Sequence, residues 1–192
     1  MLALGACTAS TPRDINNICA IFREKDDWYD EAAEAQEEWG SSIPIMMAII
    51  HQESKFQADA KPPRKKILGI IPWFRPSNSY GYSQAKTGTW KDYERSAGRF
   101  GADRDDFSDS VDFVGWYNYQ SKKRSGISLQ NPYGLYLAYH EGHGGYNRAT
   151  YRQKQWLIGV ARKVEARAGT YQTQLVACEE ELETSGGFFG WF

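Results

Sequence analysis

Apolar residues recur at helical spacing along most of the chain. Ile15, Ile18, Cys19 and Phe22 fall at i, i+3, i+4 and i+7, the stripe of a helix with one buried face. The stripe runs on through Trp28 and Tyr29 into Ala-rich, acidic turns, and Gly40 stops it, so one long first helix is expected. The next start is sharper: Ser42 is an N-cap residue, and Pro44 sits in the first turn, where its missing N–H costs nothing. Ile45 to Ile50 is almost wholly apolar, which buries that helix on most sides, and its polar exit His51-Gln52-Glu53-Ser54 then leaves the core.

Further along, Thr89 and Asp92 read as a capping box opening a short helix that Gly98 ends. Ser108 or Asp109 caps another, with Val111, Val114 and Asn118 on one side, Lys122, Lys123 and Arg124 at its C-terminal end, and Gly126 beyond. Asn131-Pro132 opens a helix running through Leu135 to about Tyr139. A long last helix carries Trp156, Val160, Val164, Tyr171, Leu175 and Cys178 close to one face. No run alternates convincingly, so strands are few. Between these helices, residues 61–79 break the pattern. Pro62, Pro63, Pro72 and Pro76 forbid a long helix. Lys61, Arg64, Lys65, Lys66 and Arg75 make the segment basic, and Ile67, Leu68, Ile70, Ile71, Trp73 and Phe74 make it apolar, as in a long loop or small hairpin. The expectation is an all-α, mainly helical single domain over 14–185, with a polar linker before it and the aromatic tail 186–192 after it.

The net charge of −1 carries no global signal for nucleic acid, and nucleic acid is not expected as a partner. Aromatic residues make up 15% of the chain; composition alone favours a well-filled core, and a carbohydrate groove is the sharper reading. No run of roughly 18 apolar residues exists to span a membrane. Leu4-Gly5-Ala6-Cys7 resembles the lipobox that ends a bacterial lipoprotein signal, in which the Cys is acylated. Residues 1–6 lack the basic part and most of the apolar part of such a signal, which fits either a shortened start or a chance match. The lipoprotein reading makes 1–13 a remnant signal and linker and gives the protein a lipid anchor on Cys7. Thr8 stands where an Asp would signal retention at the inner membrane, so that reading favours the outer membrane. If Cys7 carries lipid, Cys19 and Cys178 remain as a pair whose bond would clamp the two ends of the chain; the alternative is two buried free thiols.

Three short motifs carry candidate chemistry. The first is the apolar helix ending in Glu53-Ser54. A carboxyl beside Ile49, Ile50 and Phe56 loses hydration when charged, which raises its pKa towards the range of a usable acid at neutral pH. The second is Gly81-Tyr82-Ser83-Gln84, and the third Ala138-Tyr139-His140-Glu141-Gly142. Each alone is unspecific: an exposed helix end, a turn, a second helix end. In this order they resemble the lytic transglycosylases of the soluble-lytic, goose-lysozyme-like family, with its helix ending in Glu-Ser, its Gly-Leu-Met-Gln turn and its Ala-Tyr-Asn-Ala-Gly segment. The likeness covers about residues 43–145, and Phe56 and Ala60 also match. Tyr82 and Ser83 depart from the family's Leu and Met, and His140 and Glu141 from its Asn and Ala, as in a divergent branch.

The resemblance implies a lysozyme-like domain that cleaves peptidoglycan glycan strands between N-acetylmuramic acid and N-acetylglucosamine. Glu53 would be the catalytic acid and then base, with a 1,6-anhydro sugar as product and no metal or other cofactor. It implies substrate contacts from Ser54, Tyr82, Ser83, Gln84, Tyr139, His140 and Glu141, and a monomer at the periplasmic face of the outer membrane or free in the periplasm. Ordinary glycosidases use two carboxylates, so Glu141 facing Glu53 would make the enzyme a hydrolase; the other reading of Glu141 is a solvated groove-edge residue. A peptidoglycan-binding module with a degraded site and a cytosolic helical interaction domain are the rival classes. His140 and His143 are three apart where the zinc-protease pattern needs four, and His51-Gln52-Glu53 lacks the Pro-Cys-x-x-Cys of zinc deaminases, so neither is read as a metal site. No nucleophile elbow or phosphate loop stands out. The basic segment 61–79 would hold acidic peptidoglycan or an anionic membrane, or simply pack as a solvated loop.

Overall fold

The computed structural model describes residues 10–62, 66–67, 71–72 and 77–185. Cys7 with its lipobox, the tail 186–192 and most of the apolar residues of 61–79 lie outside the described residues. The helices are α1 (Ile18–Glu24), α2 (Trp28–Trp39), α3 (Ile43–Ser54), α4 (Thr87–Ala97), α5 (Phe107–Ser125), α6 (Pro132–Asn147), α7 (Gln155–Val176) and α8 (Glu179–Ser185). A 3-10 turn at Thr150–Gln153 joins α6 to α7. Strands β1 (Lys66–Ile67) and β2 (Ile71–Pro72) pair antiparallel, Lys66 opposite Pro72, within the basic segment. The architecture is the expected mainly helical, lysozyme-like one.

The expected long first helix is two. Lys25 leaves helical geometry at φ −122°, ψ 83°, and the chain restarts at Trp28 after Asp26-Asp27. The apolar stripe continues across this break, which periodicity alone does not reveal. Start signals were also displaced. Asn17 caps α1, its Oδ1 accepting from the Ala20 N–H at 3.2 Å. Ser42 precedes α3 without a side-chain cap; the Ile43 N–H is taken instead by Gln36 Oε1 at 2.9 Å. Thr89 lies inside α4, whose first N–H, on Thr87, reaches Asn78 Oδ1 at 3.2 Å. Asp106 rather than Ser108 or Asp109 caps α5, accepting from the Asp109 N–H at 3.0 Å. Asn131 does open α6, accepting from the Gly134 N–H at 2.9 Å.

At the centre lies α3, buried from Ile43 to His51 and packed between α2, α5 and α7. α6 packs on both α5 and α7. Leu157, Ala161, Val164, Ala168, Tyr171 and Leu175 form the buried face of α7. Trp156 is not part of that face, being 59% exposed, because it sits one residue ahead of Leu157 and turns away with the helical period. Cys19 and Cys178 are bonded, with Cα atoms 6.1 Å apart and 159 positions between them in sequence. A closure of that span stabilises by roughly 5 kcal/mol in the chain-entropy account. Gln174 seconds it by accepting the Ile18 N–H at 3.0 Å through Oε1.

Candidate active site

A cleft of 410 Å³ opens where the C-terminal end of α3 meets the turn before α4, one side of α5 and the middle of α6. Its size falls within the range of small-ligand sites. Glu53 comes from α3; Gln84, Ala85, Lys86 and Thr89 from the turn and α4; Phe113 and Tyr117 from α5; Tyr139, His140, Glu141 and Gly142 from α6; Pro62, Ser77 and Ser79 border it from the basic segment.

Glu53 is the next-to-last residue of α3, half-buried against its apolar helix. Lack of hydration pushes its carboxyl up to about 7, against the opposing pull of a hydrogen bond from the Tyr136 hydroxyl. Among the described residues no cation contributes to the shift, and the carbonyl end of a helix disfavours negative charge. Near neutral pH the group is therefore divided between acid and carboxylate. Behind it the chain turns through two consecutive left-handed residues, Lys55 at φ 57° and Phe56 at φ 60°, and Phe56 drops into the core.

The turn after the basic segment is held by its own backbone. Gly81, at φ 79°, is forced to be glycine, since a Cβ there would meet the Arg104 carbonyl oxygen at 1.7 Å. The Gly81 N–H donates to the Ala60 carbonyl at 3.0 Å, which ties this turn to the stretch following Glu53. Gln84 reinforces the tie: its Nε2 donates to the carbonyls of Ala60 at 2.8 Å and Gly81 at 2.9 Å. Both amide donors are thus engaged, and Gln84 has its carbonyl oxygen left to offer the cleft. The Tyr139 hydroxyl donates to the Ser83 carbonyl at 2.6 Å, joining the second motif to the third. Burial and the nearby Glu53 charge hold the Tyr139 phenol well above its usual pKa, so it stays neutral.

Glu141 is not the solvated groove-edge residue of one expectation; it lines the same cleft as Glu53. Its side chain is 4% exposed, not solvated. Burial pushes its pKa up, but hydrogen bonds from Lys154 Nζ at 2.6 Å, from the Thr150 hydroxyl and from His140 outweigh that and bring it down to about 2. Gly142, at φ 72° and ψ 157°, bends α6 immediately after Glu141. The clamp ties this bend to the 3-10 turn and the start of α7.

Three of the residues expected to contact substrate, Ser54, Tyr82 and Ser83, do not line the cleft. Ser54, 5% exposed, donates back to the Ile50 carbonyl at 3.3 Å. Tyr82, 1% exposed, packs edge-on to Trp28 and Phe107. The Ser83 side chain is fully buried, and only its backbone carbonyl serves the site. Adjacent residues of a helix or turn point in different directions, so membership of a motif does not place a side chain in the cleft. Gln84, Tyr139, His140 and Glu141 do line it. His143 does not accompany His140: beyond the bend it stacks on Tyr117 at 4.6 Å and its Nε2 meets Ser121 Oγ at 3.0 Å. Tyr136, Phe113 and Tyr117 were missed. The signal for Tyr136 was its place one turn before Tyr139; Phe113 and Tyr117 stand four apart and so share a helix face.

A family model described as transglycosylase SLT domain matches residues 1–178. The chain belongs to this family. Glu53, Gln84 and the Tyr139-His140-Glu141-Gly142 stretch, one part from each of the three sequence motifs, line one cleft, and the family is that of glycan-cleaving lyases that act on peptidoglycan in the cell envelope. No curated protein and no solved structure matches the chain. Among the described residues of the SLT domain, no helix is long and apolar enough to cross a membrane.

Proposed function

We propose that the protein is a lytic transglycosylase that cleaves the β-1,4 bond between N-acetylmuramic acid and N-acetylglucosamine, with Glu53 as its one proton-transfer group. The observation that carries this reading is the pairing in one cleft of a carboxyl poised near pH 7 with a second carboxylate that is already committed. Protonated Glu53 delivers its proton to the glycosidic oxygen as the C1–O bond breaks, and N-acetylglucosamine leaves with its 4-hydroxyl restored. The substrate's 2-acetamido group stabilises the positive centre at C1. The C6 hydroxyl oxygen then bonds to C1 and its proton returns to Glu53, closing the 1,6-anhydro ring and regenerating the acid. A group that must donate and then accept within one cycle works best with a pKa near the working pH.

A water-consuming route would need a second base or nucleophile. Glu141 is the other carboxylate lining the cleft among the described residues. With a pKa of about 2 and both oxygens hydrogen-bonded, it is a weak base, and its role is to fix the bend of α6. Phe113, Tyr117 and Tyr139 give the cleft an aromatic side suited to pyranose faces. The same reading extends to an acylated Cys7 and the outer membrane, supported by Leu4-Gly5-Ala6-Cys7 and Thr8; radiolabelled palmitate incorporation that survives in Cys7→Ser would contradict it. Turnover of purified sacculi tests the enzymatic part. Release of soluble muropeptides by wild type and its loss in Glu53→Gln is the expected result, and undiminished release by Glu53→Gln ends the assignment.

A further inference from the structure

A second pocket, of 360 Å³, lies between α3 and α7. Ala48, His51, Gln52 and Lys55 line it from α3 at i, i+3, i+4 and i+7, a single helix face. At 100° per residue, Glu53 points about 150° away from the middle of that face, so the pocket is on the opposite side of α3 from the cleft. From α7 it is lined by Lys163, Val164, Ala166, Arg167 and Thr170.

Three cations converge here, with no acidic side chain among the described residues that line the pocket. Among the described residues Lys55, Lys163 and Arg167 enter no ion pair; the nearest recorded partner of Arg167 is the Tyr171 ring, 5.5 Å from its Cζ. Their mutual repulsion is felt by Lys55, whose ammonium is pushed below its ordinary pKa by burial and by Arg167 and Lys163. Lys55 stands at the left-handed C-cap of α3, a position where glycine is the usual and less strained choice. Its Nζ lies 3.3 Å from His51 Nδ1, an accepting contact that requires a neutral imidazole. His51 is 93% buried by its 7% exposure, and its Nε2 has no hydrogen-bond partner. Burial first, then Lys55 and Arg167, bring its pKa down to about 4. The charged groups near His51 are thus cations from both α3 and α7.

We infer that this pocket is a binding site for a small organic oxyanion, a carboxylate or a phosphate, held by Lys55, Lys163 and Arg167 over an apolar floor of Ala48, Val164 and Ala166. Uncompensated like charges around a concavity destabilise a fold unless an anion joins them, and a planar or tetrahedral oxyanion matches the guanidinium fork of Arg167. The pocket is several times larger than a bare ion, and its apolar floor fits an aliphatic stem carrying the anionic group.

The test is an NMR titration of the full chain at fixed ionic strength, with inorganic phosphate in one arm and glutarate in the other. Saturable shifts confined to residues 48–55 and 163–170 are expected in at least one arm, and the arm that saturates at lower concentration identifies the oxyanion. Lys163→Gln combined with Arg167→Gln should weaken binding by about tenfold or more, and Arg167→Lys with Lys163 intact, which keeps the charge but not the fork, should fall between wild type and the double variant. The double variant changes one exposed and one half-buried position of α7, and its unshifted amides elsewhere report that the fold is kept. No saturable shift at those residues in either arm, or equal titrations in wild type and the double variant, overturns the inference.

Discussion

One helix end and one helix bend each deliver a glutamate to the wall of one cleft, and their surroundings shift the two pKa values in opposite directions. At the end of α3, Glu53 has an apolar helix behind it, and desolvation raises its pKa to about 7. At the bend of α6, Glu141 is gripped by Lys154, Thr150 and His140, and its pKa falls to about 2. The side chains are identical, so the difference lies in desolvation opposed by one phenol hydrogen bond against desolvation outweighed by a half-exposed ammonium and two further hydrogen bonds. The charged form of one carboxyl is costly, and that of the other is stabilised.

The largest expected effect is on Glu53. Glu53→Gln keeps the shape and removes the proton, and turnover of sacculi should drop by roughly 100- to 10,000-fold; a smaller drop would mean the acid lies elsewhere. Next comes Glu141→Gln. Its folded pKa is depressed, so its contribution to stability is present above the unfolded value near 4.5 and is lost as pH falls towards 2. Denaturant unfolding at pH 7 should show a loss of roughly 2–3 kcal/mol, with activity retained to within about tenfold, whereas loss of activity to the level of Glu53→Gln would make Glu141 a second catalytic group.

The same stability measurement on Glu53→Gln should give the opposite sign. Glu53 has a raised folded pKa, so the fold is most stable below the unfolded value near 4.5 and weakens as pH rises through about 7. At pH 8 the variant should therefore be more stable than wild type by roughly 1–3 kcal/mol, and equal to it near pH 4; a destabilised variant at pH 8 would remove the argument from desolvation. The smallest effect is a tuning one. Tyr136→Phe deletes the hydrogen bond that favours ionised Glu53, so the alkaline limb of the kcat/KM profile, expected near pH 7 in wild type, should move to higher pH. A limb that stays in place or moves down would show that Tyr136 does not reach the carboxyl.

The two regions also differ in how much of them could be read in the sequence. α3 was legible because its information is local: Pro44 starts it, an unbroken apolar run buries it, and Glu53 stands where the run turns polar. The order of the three motifs likewise pointed to one cleft. The surroundings of Glu141 were not legible. Lys154 is thirteen positions away in sequence and reaches it only because Gly142 bends α6 and a 3-10 turn follows, and no periodic pattern encodes that meeting. Tyr82 and Ser54 were misplaced for a related reason. A motif names neighbours along the chain, while the rotation of the backbone decides which of them sees the cleft and which meets Trp28 or the Ile50 carbonyl. Helix starts failed in the same way: the donors of α3 and α4 are satisfied by Gln36 and Asn78, acceptors outside the motif that would normally be consulted.

The account rests on one carboxyl performing both proton transfers while the other abstains, and the chemical form of the cut ends records which has happened. Mass spectrometry of the muropeptides released from purified sacculi by the wild-type protein reads this directly. The prediction is muramic acid termini that are 1,6-anhydro, lighter by one water than reducing ends. Hydrated reducing ends as the main product would show that water was activated in the cleft, and would contradict the assignment of a single working carboxyl.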